Sequence, residues 1–139
     1  MKKTKILVFG NKLVKKDSLA LSVADELTQV LLGTGIEFKE FDTAENLEDE
    51  GPDITILDVA DGIKKVTVFD EKDLNKFEKS PAYSMHDFDL AITLKLLKKI
   101  GKIKTIRIIA IPMEYEKKKA MDEVMAIINN NLTSKSDLF

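Results

Sequence analysis

The sequence predicts a three-layer α/β/α domain, with a twisted, mostly parallel sheet of about five strands and an antiparallel edge strand. The first observation behind this prediction is that short apolar, β-branched runs alternate with longer segments that have helical periodicity. The second is the length of 139 residues, which suits one domain with its own core. We therefore expect a single domain over residues 1–139, with residues 133–139 as a frayed tail.

The first part of the chain predicts a strand, a helix and a second strand. KILVFG (5–10) is a short apolar run that stops at a Gly-Asn pair, which is typical of a buried strand. The apolar residues that follow recur at helical spacing and predict a helix near 18–32, with Gly33 as its C-terminal cap. IEFKEFD (36–42) alternates apolar and charged residues, which indicates a half-exposed strand.

The middle of the chain predicts two more strands and a loop. DITILDVADG (53–62) has the composition of a buried strand that ends in acidic residues. KKVTVFD (64–70) alternates and predicts an antiparallel edge strand, whose lysines discourage pairing with another sheet. Residues 71–83 are charged and irregular, so we expect a loop, and a loop of this length is often a functional lid.

The last part predicts a helix, a central strand and a final helix. We expect a helix near 87–100 whose buried face consists of Phe88, Ala91, Leu94, Leu97 and Ile100. TIRIIAIPM (105–113) predicts a strand, and a helix near 115–130 follows it. The side chains of that helix predicted to face inward are Met121, Val124, Ile127 and Ile128. The central segments of the sheet should be 5–10, 54–58 and 105–111, and the edge segment 65–69.

Composition excludes several classes of function. Apolar residues make up 44% of the chain and charged residues 33%, as in ordinary globular proteins. The net charge of −2 gives no reason to expect binding to nucleic acid or to an anionic membrane. The absence of cysteine excludes disulfides, thiolate metal sites and a cysteine nucleophile. Since no run suits a signal peptide or a membrane span, we expect a cytoplasmic protein.

Three polar side chains are predicted at the carboxyl edge of the sheet, where α/β proteins bind ligands. Asp17 lies at the start of the first helix, Asp58 follows a buried strand, and His86, the only histidine, precedes the next long helix. Two carboxylates and one imidazole leave coordination positions open, as in a catalytic or sensing metal site. The imidazole favours a transition metal such as nickel, zinc, copper or iron over magnesium or calcium.

The position of His86 suits a metal ligand. Ser84 and Asp87 match the S-x-x-[DE] pattern of a helix start, which places His86 in the first helical turn. The positive end of the helix dipole disfavours imidazolium there, and the neutral ring is the form that binds metals. Taken singly, each residue also has an ordinary interpretation: Asp17 as an N-cap, Asp58 as a turn residue at a strand end, and His86 as a surface residue.

Four segments together resemble the hydrogenase maturation endopeptidases, the proteases that process the large subunit of nickel–iron hydrogenases. KILVFGNKLVKKDSLALSVADEL resembles the family's first strand, Gly-Asn-x-Leu turn and helix, with Asp17 at the first acidic ligand position. DITILDVADG places Asp58 at the second acidic position, and SMHDFDLAITLKLLKKIG places His86 as the third ligand. IRIIAIPME resembles the final strand. The chain departs from the family in having Val8 for a glycine and Lys16-Asp17-Ser18 around the first ligand, which puts basic charge beside the site.

The resemblance implies an endopeptidase that senses nickel in the precursor of a hydrogenase large subunit and removes its C-terminal extension. Asp17, Asp58 and His86 would bind the nickel and form the catalytic set, with one carboxylate as the candidate activator of water. The nickel would come with the precursor, and the isolated protein, a monomer, would bind it weakly. Two alternatives remain open: a receiver-like signalling module with Asp58 as its acidic site, and an inactive scaffold that binds the precursor without cutting it.

Overall fold

Six strands form one sheet in the computed structural model, which describes residues 4–9, 18–41, 47–74, 84–85 and 88–132. The strands are β1 Thr4–Phe9, β2 Ile36–Phe41, β3 Asp53–Asp61, β4 Thr67–Asp70, β5 Ser84–Met85 and β6 Thr105–Pro112. The helices are α1 Leu19–Val30, α2 Phe88–Lys99 and α3 Lys117–Ile127, which continues as a π-helical segment, Ile128–Leu132. Short 3₁₀ segments cover Leu47–Glu50 and Glu71–Asp73.

The strand order is β2-β1-β3-β6-β4, with the two-residue β5 paired to β3 outside this path. β1 pairs in parallel with β2 and β3, and β3 pairs in parallel with β6. β4 is antiparallel to β6 and lies at the sheet edge. This architecture confirms the predicted fold class, the three central strands and the antiparallel edge strand.

Each face of the sheet carries its own buried core, because neighbouring side chains of a strand point to opposite faces. On one face, Ile56 and Ala60 of β3 pack in the same cluster as Leu94 and Leu97 of α2. On the other face, Leu57 and Val59 of β3 pack in the cluster that contains α1 and α3. The buried members that α1 and α3 contribute to that cluster include Ala20, Val23, Leu27, Ala120 and Val124.

The direction of the crossovers explains which helix covers which face. The chain moves from β1 through α1 to β2 at one edge, whereas it moves from β3 through α2 to β6 in the opposite direction. Right-handed crossovers that run in opposite directions place their helices on opposite faces. The reversal lies between β1 and β3, and this is the switch point at which open α/β sheets bind ligands.

Two local predictions were wrong. Ser84 does not begin a helix: it lies in β5 opposite Asp61, and Met85 pairs with Ala60, so tertiary strand pairing outweighs the local capping pattern. Ile100 does not belong to the buried face of α2, since it is 57% exposed whereas Leu97 is buried.

The segment predicted as the loop 71–83 has structure at its beginning. Asp70 caps the 3₁₀ turn Glu71–Asp73: its Oδ1 accepts from the Lys72 backbone N–H at 2.8 Å, and its own N–H donates to Asp73 Oδ2 at 3.0 Å. Residues 75–83 lie outside the described part of the chain, and so does the predicted tail 133–139. Among the described helices, none is long and apolar enough to cross a membrane.

Candidate functional site

Asp58 is the one buried charged side chain among the residues that the structure describes, with 1% of its surface exposed. It lies within β3, three residues before the strand ends at Asp61. The backbone N–H of Val59 donates to its Oδ1 at 2.8 Å. Burial of a carboxylate is costly unless hydrogen bonds, a cation or a proton compensate. A carboxylate retained in the centre of the sheet therefore suggests a functional role.

Two different strands pair with β3 on the two sides of Asp58. β1 pairs with β3 up to Leu57, whose partner is Val8. β5 pairs with β3 from Ala60 onward. Because β6 occupies the opposite edge of β3 as far as Ala60, β1 and β5 must share the same edge. Asp58 and Val59 lie between these two neighbours, at the switch point of the sheet.

The side chain of Asp58 lies on the face that α2 covers. Asp58 is two residues from both Ile56 and Ala60, which belong to the cluster beneath α2. Residues two apart on a strand share a face. α2 begins at Phe88, three residues after Met85, the end of β5. The chain segment between β5 and α2, which contains His86, therefore starts beside the part of β3 that carries Asp58.

Asp17 and His86 lie outside the described residues, so their convergence with Asp58 stays a prediction. Their described chain neighbours are Ser18 and Met85. Ser18 holds the N-cap position of α1, which is the position that the ordinary interpretation assigned to Asp17. Within the described ranges, no group of three histidine, cysteine, aspartate or glutamate residues could hold a metal. A site with three protein ligands at Asp58 therefore needs side chains from outside those ranges.

A cavity of about 440 Å³ opens beyond the carboxyl ends of β3 and β6. Its lining consists of Asp61, Ile63, Lys64, Pro112, Met113, Glu114 and Tyr115. No local sequence pattern marks these residues as a site, although the rule that ligands bind at the carboxyl ends of strands draws attention to Asp61 and Glu114. The cavity lies at the same carboxyl edge of the sheet as Asp58, although Asp58 does not line it.

Glu123 of α3 fixes one wall of this cavity. Its Oε2 accepts from the Tyr115 hydroxyl at 2.6 Å, and its Oε1 accepts from the Val66 backbone N–H at 3.0 Å. The bond from the Tyr115 hydroxyl, against a smaller opposing effect of burial, lowers the pKa of Glu123. The same bond raises the pKa of Tyr115. Both shifts favour an ionised Glu123 and a protonated Tyr115, the state in which the hydrogen bond is strongest.

A second cavity, of about 470 Å³, lies at the opposite, amino edge of the sheet. Its lining includes Lys5 and Glu50. Glu50 forms ion pairs with Lys5 at 2.9 Å and with Lys39 at 3.0 Å, which link β1 and β2. The strands separate this cavity from Asp58, so we assign its ion pairs to the cohesion of the sheet.

Comparison with known proteins adds a family assignment to this geometry. A family model described as hydrogenase maturation protease (HycI) matches residues 47–129. The match includes Asp58 and the segment that contains His86, and it begins after Asp17. A search of curated protein sequences finds no significant match.

Several solved structures have the same fold at low sequence identity. The hydrogenase maturating endopeptidase HybD from Escherichia coli is 17% identical, with a TM-score of 0.61 over 91% of this chain and 92% of that one. A [NiFe] hydrogenase maturation protease HycI from Thermococcus kodakarensis is also 17% identical, with a TM-score of 0.59 and 92% of each chain covered. A hydrogenase 2 maturation peptidase from a Thaumarchaeota archaeon is 16% identical, with a TM-score of 0.54 over 94% of this chain and 98% of that one.

Proposed function

Because the chain belongs to the hydrogenase maturation protease family, we propose that it is an endopeptidase with a nickel-dependent choice of substrate. Its substrate is the precursor of a nickel–iron hydrogenase large subunit, and its product is that subunit without its C-terminal extension. The observation that best supports this proposal is the buried Asp58 near the carboxyl end of β3, inside the segment that the family model matches.

Asp17, Asp58 and His86 are the proposed nickel ligands, and the nickel is part of the precursor. The donor chemistry suits such an ion, since carboxylate and neutral imidazole both bind divalent transition metals. The Val59 N–H fixes the orientation of the Asp58 carboxylate, and burial strengthens its electrostatic attraction for a cation. Three ligands hold a free ion weakly. Donors from the precursor complete the shell, so that stable binding, and hence cleavage, requires a precursor that already contains nickel.

Peptide hydrolysis also needs a group that accepts a proton from the attacking water. A carboxylate of the proposed set is the candidate general base, and the same proton can pass to the leaving amine. The cavity beyond β3 and β6 supports this arrangement, because it opens at the edge of the sheet that the precursor's C-terminal tail must reach.

The receiver-like alternative has less support. The family model that matches residues 47–129, Asp58 included, describes a protease and not a signalling module. The inactive scaffold shares the fold and the proposed partner with the protease, and only an assay of cleavage separates the two.

The direct test is to incubate the protein with nickel-loaded hydrogenase large-subunit precursors and to detect released C-terminal peptide by mass spectrometry. The wild-type protein should release the peptide, and Asp58→Asn should not. Asp53→Asn is the matched control, because Asp53 is exposed and lies at the amino end of the same strand, away from the candidate site, and this variant should remain active. Binding of the precursor without release of peptide by the wild type would favour the scaffold.

A further inference from the structure

α2 carries a row of exposed apolar side chains on its outward side. Ile92 is 43% exposed, Leu96 56% and Ile100 57%. Their spacing of four residues aligns them along one side of the helix over about 12 Å, and Ile100 continues the helical pattern, because its N–H donates to the Leu96 carbonyl at 3.0 Å. Leu94 and Leu97 of the same helix are buried against the sheet. A helix that is apolar on both its inner and outer sides is typical of one with a second partner.

Asp87 and Asp89 precede this row, and the charge along it is positive from residue 90 onward. Residues 90–113 contain five lysines and one arginine but no aspartate or glutamate, in a chain whose net charge is −2. Lys98 and Lys99 lie in the last turn of α2, and Lys102 follows the helix; all three are exposed. Glu71, an acidic residue that interacts electrostatically with Lys98, also accepts a hydrogen bond from the Ile106 N–H at 3.2 Å. The outward side of α2 is thus apolar with a cationic border.

The row is continuous with the candidate site. α2 begins at Phe88, close after Met85, which pairs with Ala60 near the carboxyl end of β3. It ends near the amino edge, where the Lys104 N–H donates to the Pro52 carbonyl directly before β3. The exposed side of α2 therefore runs from the edge that carries Asp58 down the flank of the domain. The body of a protein whose tail lies at Asp58 can cover this flank.

We propose that the outward side of α2, formed by Ile92, Leu96 and Ile100 with Lys98 and Lys99, docks the folded body of the protein substrate. The complementary surface on that substrate is an apolar patch bordered by acidic residues. This inference rests on the proposed function, to which it adds a second contact, remote from the scissile bond, on the same precursor.

Two other occupants fit the observations less well. A second copy of this chain would bring two lysine-rich borders together, and juxtaposed like charges oppose association. The strength of membrane binding scales with the apolar area that enters the membrane, and three side chains that are 43% to 57% exposed provide little such area. Both remain outcomes of the experiment below.

The test compares the kinetics of precursor cleavage by the wild type and by the double variant Ile92→Gln, Leu96→Gln. Loss of two exposed apolar contacts should raise KM for the nickel-loaded precursor about tenfold and leave kcat within about twofold. Lys98→Glu with Lys99→Glu should also raise KM and should weaken its dependence on salt. Leu32→Gln is the matched control, since Leu32 is 70% exposed but follows α1 on the other face of the sheet. Its KM should equal that of the wild type.

The possible results separate the two proposals. An unchanged KM in the α2 variants, with an active wild type, overturns the docking surface and leaves the proposed function intact. No cleavage by the wild type, with no binding of the precursor, overturns both. Two further assays test the other occupants: sedimentation equilibrium for dimers, and binding to phosphatidylcholine–phosphatidylserine vesicles for a membrane. If the wild type associates in either assay, and Leu96→Gln abolishes that association but leaves KM unchanged, the proposed docking of the substrate is overturned.

Discussion

Met85 pairs with Ala60 in antiparallel register, two residues beyond the buried Asp58 on β3. β1 leaves the same edge of β3 at Leu57, so the carboxylate lies where the strand changes neighbours. This pairing also fixes the start of the segment that contains His86. The candidate site therefore depends on a two-residue strand as well as on the long central strands.

The N-cap position of Ser18 allows a test of whether Asp17 acts as a metal ligand or as a helix cap. Since Ser18 holds the N-cap position, Asp17→Asn should leave the free energy of unfolding within about 0.5 kcal/mol of the wild type. The same variant should impair cleavage of the precursor, because an amide is a poorer metal ligand than a carboxylate. Urea unfolding and the cleavage assay measure the two effects. Full cleavage by Asp17→Asn would show that Asp17 is not a ligand, because asparagine caps a helix as well as aspartate does.

The orientation of α2 predicts opposite outcomes for two nearby leucines. Leu94 is fully buried, so Leu94→Ala should lower the free energy of unfolding by about 3 kcal/mol through lost contacts and an internal cavity. Leu96 is exposed, and Leu96→Ala should change it by less than about 0.5 kcal/mol. If urea denaturation showed the same loss of unfolding free energy for both variants, the helix would have to be rotated relative to this structure.

The long strands were predictable because their burial is visible in their composition. β1, β3 and β6 are covered on both faces, and each has a nearly continuous apolar run. β5 was not predictable, since two residues cannot show a period and its formation depends on pairing with β3. The prediction that Ile100 is buried was wrong because α2 has apolar residues on two sides, and helical spacing alone does not say which side is buried.

The site was predictable only in part. Asp58 was predicted as an acidic residue after an apolar strand, whereas the structure places it within β3, three residues before the strand ends; its role as a ligand stays a prediction. The cavity was missed because its walls come from segments far apart in sequence, such as Lys64 and Tyr115. No local pattern reports that such segments meet.

Glu123 predicts a dependence of stability on pH. Its pKa is lower in the folded protein, so its ionised form stabilises the fold at pH values above about 4.3, the ordinary value of a glutamate. This contribution is lost as the pH falls through the lower pKa of the folded state. Glu123→Gln should be less stable at pH 7 by about 1 kcal/mol, and the difference from the wild type should shrink below about pH 4.

The measurement is thermal or urea unfolding of both proteins between about pH 3 and 7. Tyr115→Phe is the matched control, because it removes the hydroxyl that donates to Glu123 and keeps the ring. It should move the pKa of Glu123 back toward its ordinary value. A difference between wild type and Glu123→Gln that stays constant over the whole range would contradict this explanation.

Metal binding by the isolated protein should be weak and should depend on His86. Protonation of imidazole competes with nickel, so affinity should fall as the pH drops through about 6.5, the ordinary pKa of histidine. Isothermal titration with nickel measures this dependence. His86→Ala should remove it and should leave thermal stability nearly unchanged. Tight, pH-independent binding by His86→Ala would place the metal elsewhere.

The central claim is that cleavage depends on nickel in the precursor and on Asp58. The most direct measurement is the rate of C-terminal peptide release from one precursor, prepared with and without nickel, by the wild type and by Asp58→Asn. We expect release only when the wild type meets the nickel-loaded precursor. Equal release from the nickel-free precursor, or full activity of Asp58→Asn, would contradict the account.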